Sequence, residues 1–299
     1  MLRGGDRRAS GEAISIRGAV AGWLGAWGPA LPLLLVVGTM LLAPALQLIW
    51  GSLVRDGTPT LANWADVLSS PRHQREIAGT LLLAGVSASV ATIVGTPLAL
   101  LIGRMAAVRR SGWLALLNVA ANIGGIGLGF ALLATIGSVG MVTLALRGLG
   151  VPWSPPPVDS FEGLVLGFAY TNVPLFVILT LPAFGILRDD WAEAARVSAA
   201  SRTQYWRRIG LPILAPFIAA GWLLIFTWSI GIYSLAYALA GTGGIQRVSL
   251  MTLRIGTVIQ SDVFSTWRAD VLAVILMAFA LVALWSYRQL LRHGARWFG

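Results

Sequence analysis

The sequence predicts an all-α polytopic membrane protein of about six transmembrane helices, and three observations carry that prediction. Of 299 residues, 57% are hydrophobic and only 11% charged, at a mean hydropathy of +0.77. The charges cluster between uncharged runs at 18–54, 77–103, 111–146, 163–187, 209–246 and 271–287. Each run meets or approaches the ~20 residues that cross ~30 Å of hydrocarbon as helix. The 22 bases, all Arg, are shared unevenly between alternate connections. A water-soluble enzyme is excluded, because its surface needs far more charge than this chain holds. With no Cys and only His73 and His293, disulfides, thiolate sites and a metal cage are excluded too.

The elements follow in chain order. Residues 1–28 form a cytoplasmic N-terminal segment. Asp6 and Glu12 interrupt its basic character, which argues against a cleaved signal. Residues 14–27 suit a helix lying in the interface, with 1–13 as a disordered tail. Pro29 and Pro32 open the first span, and residues 29–290 make one six-helix domain. Asn63 and Trp64 are expected to be exposed on the outer side, before the second span. The third run is too long for one perpendicular helix, so a tilted span of roughly 113–139 is expected, with an external stretch after it. Pro152 to Pro157 form a stiff extended loop there. Trp27, Trp50, Trp113 and Trp285 read as interfacial anchors. Residues 291–299 are a cytoplasmic tail.

Sidedness comes from the Arg bias. Grouping the N-terminus, the second and fourth connections and the tail puts fifteen Arg and five acids on one side, a net +10. The other side holds seven Arg and seven acids. The charged side is therefore cytoplasmic, with both termini inside. The basic balance reads as orientation and attraction to anionic lipid, not as nucleic-acid binding.

The fourth connection, about residues 189–212, is long enough to need structure of its own. Asp190 with Glu193, and Ser201 with Gln204, each fit a capping box. The segment thus reads as helix, tight turn near Ala199 and Ala200, and helix. Pro212, after Leu211, suits the first turn of the fifth span. Ala194 and Ala195 keep the first helix narrow, Trp191 and Val197 offer apolar contacts, and Glu193 and Arg196 supply charge at the rim. That pattern suits docking of a helix in a partner's groove; an amphipathic loop on the lipid surface is the plainer alternative.

Glu193-Ala194-Ala195, a turn four residues on at Ala199, then Ser201, Arg207-Arg208 and Leu211-Pro212 resemble the EAA loop of permease subunits of binding-protein-dependent ABC importers of the type I architecture. Weaker similarity covers about residues 61–240, including 63–68, 95–99 and 137–140. It looks most like the branch serving polyamines, ferric iron, thiamine and aminoethylphosphonate. The resemblance implies a type I permease fold in a bacterial inner membrane, forming half of a translocation pathway. Its partners would be ABC ATPase subunits that bind the ATP, a periplasmic or lipid-anchored solute-binding protein, and a second permease, either a related heterodimer partner or a second copy. No enzyme activity or cofactor is expected in the chain itself, which has no G-x-x-x-x-G-K-[ST] loop and no Lys. The family usually has Gly where this chain has Ala199, so the turn either avoids the left-handed region or carries its strain.

Intramembrane polar groups are candidates for the substrate pathway. They are Asn118 and Asn122, Thr171 and Asn172, and Thr227, Tyr233 and Ser234; each also reads as interhelical glue. Gly124, Gly125, Gly127 and Gly129 read as close-packing positions. The substrate class expected is a small polar or charged solute such as a polyamine, ferric iron, thiamine or a phosphonate. A secondary transporter and a non-transporting membrane scaffold are the rival classes, and the lack of intramembrane carboxylates counts against the first.

Overall fold

The computed structural model describes residues 28–187, 189–241, 248–261 and 266–295. The expected interfacial helix at 14–27, Trp27, Arg188 and residues 296–299 of the tail fall outside them. Six helices among the described residues are long and apolar enough to cross a membrane, as expected.

The described residues fall into two units that part between Gly51 and Ser52. The first contains most of α1 (Leu31–Leu53), which is apolar on every side and carries Pro44. In the second unit, β1 (Val54–Arg55) and β2 (Thr58–Pro59) pair antiparallel around Asp56 and Gly57, both at positive φ. That is the Asp-Gly turn whose twist suits a two-residue hairpin. Helix α2 (Ala62–Ser69) follows, and α3 (Pro71–Gly103) is the second span. Asn63 was expected to be exposed but is fully buried. Its Nδ2 donates to the carbonyls of Ser52 (3.2 Å) and Val54 (3.0 Å), fastening the hairpin to α2. A buried amide needs such partners, and an Asn in a polar stretch of sequence gives no hint of them.

The third span departs from the single tilted helix over 113–139. The chain instead forms α4 (Ala107–Asn122), α5 (Gly125–Ile136) and α6 (Met141–Gly148), and the membrane-length apolar stretch is Gly125–Gly148. Gly125 sits at φ +68, a conformation Gly adopts without steric cost, so the Gly pair breaks the helix. Gly129 does pack closely, since a Cβ there would collide with the Ala238 side chain, whereas Gly127 faces open space. After the irregular, mainly exposed Pro152–Pro157 stretch comes α7 (Phe161–Phe184), the fourth span, opened by a Ser160 cap.

Beyond the fourth connection, α10 (Leu211–Gly231) is followed by the short α11 (Ser234–Ala236), α12 (Met251–Ser261) and α13 (Thr266–Ala295). Helices α3, α7 and α10 pack on one another, and α10 also packs on α13. Phe176 of α7 is fully buried at their centre. A Cβ on Gly95 of α3 would lie 2.5 Å from its ring, and one on Gly221 of α10 would lie 2.9 Å from it. Glycine on both flanks is what admits the ring between two spans.

Candidate coupling hairpin and central cavity

The fourth connection folds as α8 (Asp189–Val197) and α9 (Arg202–Tyr205). Helix α8 begins at Asp189, so Asp190 and Glu193 both lie in its first turns. At the other helix the expectation holds. Ser201 Oγ accepts from the Gln204 N–H (3.2 Å), and Gln204 Oε1 accepts from the Ser201 N–H (2.7 Å). Two otherwise orphaned backbone donors are satisfied reciprocally.

Between the helices Ala199 adopts φ +54, so the turn is left-handed and carries the strain. The Ala200 N–H donates to the Ala195 carbonyl at 2.9 Å and the Ala199 N–H to the Arg196 carbonyl at 3.0 Å. This pair of bonds is a Schellman cap with Ala in the position Gly usually holds. Helix α8 has two faces. Ala195 is buried against the bundle, whereas Glu193, Ala194, Arg196 and Val197 are exposed, Val197 at 89%. An exposed apolar side chain beside a carboxylate and a guanidinium on a short helix gives a surface suited to a partner's groove.

Pro212 lies in the first turn of α10, as expected, and α10 is continuous with the hairpin. Residues Arg202–Gly231 run as one helical stretch, through a π-helical turn at Trp206–Gly210 that contains the exposed Arg207 and Arg208. The Leu211 N–H reaches back five residues to the Trp206 carbonyl. Pro212 has no N–H to give and its ring crowds the carbonyl four residues earlier. The wide turn just upstream lets the rod continue past it. Leu211 and Pro212 are exposed on the rod's surface.

The pathway candidates divide into three groups. Thr171 of α7, Thr227 of α10, and Tyr233 and Ser234 after it line one cavity of about 720 Å³, with Gly124 and Gly125 at the break in the third span and Trp228 on its wall. The break that composition did not reveal thus opens onto this space. Asn118 and Asn122 stay on the exposed side of α4, with their amides bonded to the carbonyls of Leu114 (2.9 Å) and Asn118 (2.8 Å) of their own helix. Asn172 is fully buried, and its Nδ2 donates to Ser229 Oγ at 2.8 Å, joining α7 to α10. None of the cavity's described lining residues is charged.

At the opposite end, Glu76 is buried with its carboxylate 2.7 Å from His73 Nδ1, 3.2 Å from Arg72 Nε and 3.9 Å from Arg254 Nε. Thr80 accepts from the Met251 N–H at 2.8 Å, tying α12 to α3. The guanidinium groups of Arg55 and Arg268 lie 4.5 and 4.9 Å from the centre of the Trp267 ring, and Arg55 pairs with Asp66 at 2.7 Å. Nothing in the charge-counting of the sequence distinguished these arginines from ordinary loop charges. Asp270 is partly buried in α13, and Asp262 is outside the described residues.

No family model matches the chain. It is 26% identical over 230 residues to the trehalose/maltose transport system permease protein MalF of Thermococcus litoralis, covering 71% of this chain and 76% of that one. It is 24% identical over 217 residues to the spermidine/putrescine transport system permease protein PotB of Haemophilus influenzae, covering 70% and 73%. Permeases for sulfate and molybdenum also match. Among solved structures, a bacterial alginate ABC transporter in complex with an alginate-bound periplasmic protein contains a chain that superposes with a TM-score of 0.72 at 18% identity, over 94% of this chain and 97% of that one.

Proposed function

We propose that this chain, an ABC importer permease in sequence relationship and fold, forms half of a substrate pathway through a bacterial inner membrane and is driven by a separate ATPase. The α8–α9 hairpin is the coupling element: Glu193, Ala194, Arg196 and Val197 seat in the ATPase, Ala195 holds the hairpin to the bundle, and Arg207 and Arg208 flank the seat. The observation that carries this reading is the hairpin itself, closed by a Schellman cap and a capping box and turned by a left-handed Ala199, with Glu193 and Ala194 exposed. The hairpin faces the cytoplasm, as do both termini, because the net +10 of the chain lies on that side.

The cavity lined by Thr171, Thr227, Tyr233 and Ser234 is this half's contribution to the pathway. A second permease subunit, a relative or a second copy, supplies the other half, and a solute-binding protein delivers the substrate. Hydroxyls and two aromatic rings in an uncharged lining suit a small polar solute recognised by hydrogen bonds and ring contact. The named relatives serve sugars, sulfate, molybdenum and polyamines, and a polar solute of this breadth fits the lining better than a tightly held cation.

Glu193→Lys tests the coupling assignment. The variant is expected to insert normally, to retain its ATPase about tenfold or more less well on co-purification, and to lose uptake, because it reverses a charge at a docked interface. A variant that keeps both its ATPase and its uptake overturns the reading.

A further inference from the structure

A second cavity, of about 810 Å³, lies between the hairpin and the ends of α3 and α7. Its lining is sharply divided in character. Leu100, Phe184, Leu187 and Trp206 form an apolar floor, and Arg104, Arg196 and Arg202 supply the charged groups, with no acid among the described lining residues. The three arginines are exposed, Phe184 is buried, and Leu100, Leu187 and Trp206 are half-buried, so the charged rim is wetter than the apolar floor. The cavity sits where the apolar stretches of α3 and α7 end, at Gly103 and Phe184, which is the level of the lipid headgroups.

We propose that this cavity binds one anionic phospholipid of the cytoplasmic leaflet, its phosphate held by Arg104 and Arg202 and the start of an acyl chain laid on Leu100 and Leu187. The proposal rests on the cytoplasmic placement of the hairpin given above. Three features select this occupant. A phosphodiester matches guanidinium groups in charge and in donor geometry. The cytoplasmic leaflet is anionic and attracts basic groups at its surface. An amphiphile alone satisfies a wet cationic rim and an apolar floor together, whereas a free phosphate leaves the floor uncovered. The lipid would wedge behind α8, whose Ala192, Ala195 and Arg196 line the cavity, and so bias how the hairpin stands against the bundle, meeting the ATPase seat at Arg196 alone.

The test is native mass spectrometry of the full purified chain, titrated with phosphatidylglycerol and, separately, phosphatidylcholine. One phosphatidylglycerol should be retained in strong preference. Arg104→Gln or Arg202→Gln should weaken it about fivefold each and the double variant about 25-fold, from the ordinary contribution of one arginine at an anionic surface. Arg109→Gln/Arg110→Gln, outside the cavity, should change nothing. Leu187→Trp, which fills the floor and keeps every charge, should also expel the lipid, so the result does not hang on one variant. Equal retention of both lipids, equal loss in the Arg109/Arg110 control, or displacement by inorganic phosphate at the lipid's own concentration overturns the proposal. This assay contains no ATPase, so its failure leaves the coupling assignment standing, and failure of the Glu193→Lys test leaves a measured lipid site standing.

Discussion

Replacing Ala199 by Gly should strengthen the coupling hairpin. At φ +54 the Ala Cβ crowds the neighbouring carbonyl, whereas Gly meets no such penalty. The Ala199 side chain is exposed, so its removal takes away little packing. Both capping bonds, Ala200 N–H to Ala195 O and Ala199 N–H to Arg196 O, are backbone bonds that the substitution keeps. The net gain is about 1 kcal/mol, roughly a fivefold fall in the population of the opened turn. Hydrogen exchange followed by mass spectrometry on a peptide spanning 189–205 reads that population directly, and Ala199→Gly should slow exchange about fivefold. Ala199→Val, β-branched in the same conformation, should hasten it. Faster exchange in Ala199→Gly, or unchanged exchange in Ala199→Val, would refute the assignment of strain to this turn.

Two further outcomes test the bundle. Glu76→Gln removes the buried charge that faces His73, Arg72 and Arg254. It should cost roughly 3 kcal/mol, read as a fall in Tm of several degrees in detergent; an unchanged Tm would show that the cluster is not a fastening. Gly95→Ala puts a methyl 2.5 Å from the Phe176 ring and should destabilise by about 1–3 kcal/mol. Phe176→Leu in the same chain should recover a good part of that loss, and strict additivity in the double-mutant cycle would show that the two residues do not meet.

The sequence exposes some of these features and hides others for physical reasons. A span announces itself residue by residue, since every side chain on it faces lipid or core, and the six apolar helices were legible from the charge-free runs. The Ser201–Gln204 cap was legible because its partners stand three residues apart. The break at Gly124 and Gly125 was not, because a Gly pair reads the same whether it packs a helix closely or interrupts it. Only the backbone, with Gly125 at φ +68, distinguishes the two. Pro212 marked the first turn of α10 correctly, but not its continuity with the hairpin, because a residue without an N–H is tolerated after a widened turn as well as at a free helix start. The meeting of Thr171 with Thr227, Tyr233 and Ser234 depends on contacts over sixty residues of chain, which no local pattern encodes. Asn118 and Asn122 share the same chemistry yet bond only within their own helix.

The unbroken Arg202–Gly231 stretch has a mechanical consequence. Thirty residues of continuous helix, including the π-helical turn at Trp206–Gly210 and Pro216, reach about 45 Å as one beam, and Gly221, closed against Phe176 and Thr180, is the natural fulcrum. About 28 Å of beam lie on the hairpin side of that point and about 15 Å on the side that reaches the central cavity, at 1.5 Å per residue. The beam would therefore work as a see-saw geared down roughly two to one, so that a push of about 5 Å at Arg202 arrives as about 2.5 Å at Gly231, in the opposite direction. Thr227, Trp228 and Gly231 ride on the short arm and line the cavity. Movement imposed at the Arg202 end would reach those walls without passing through any loop.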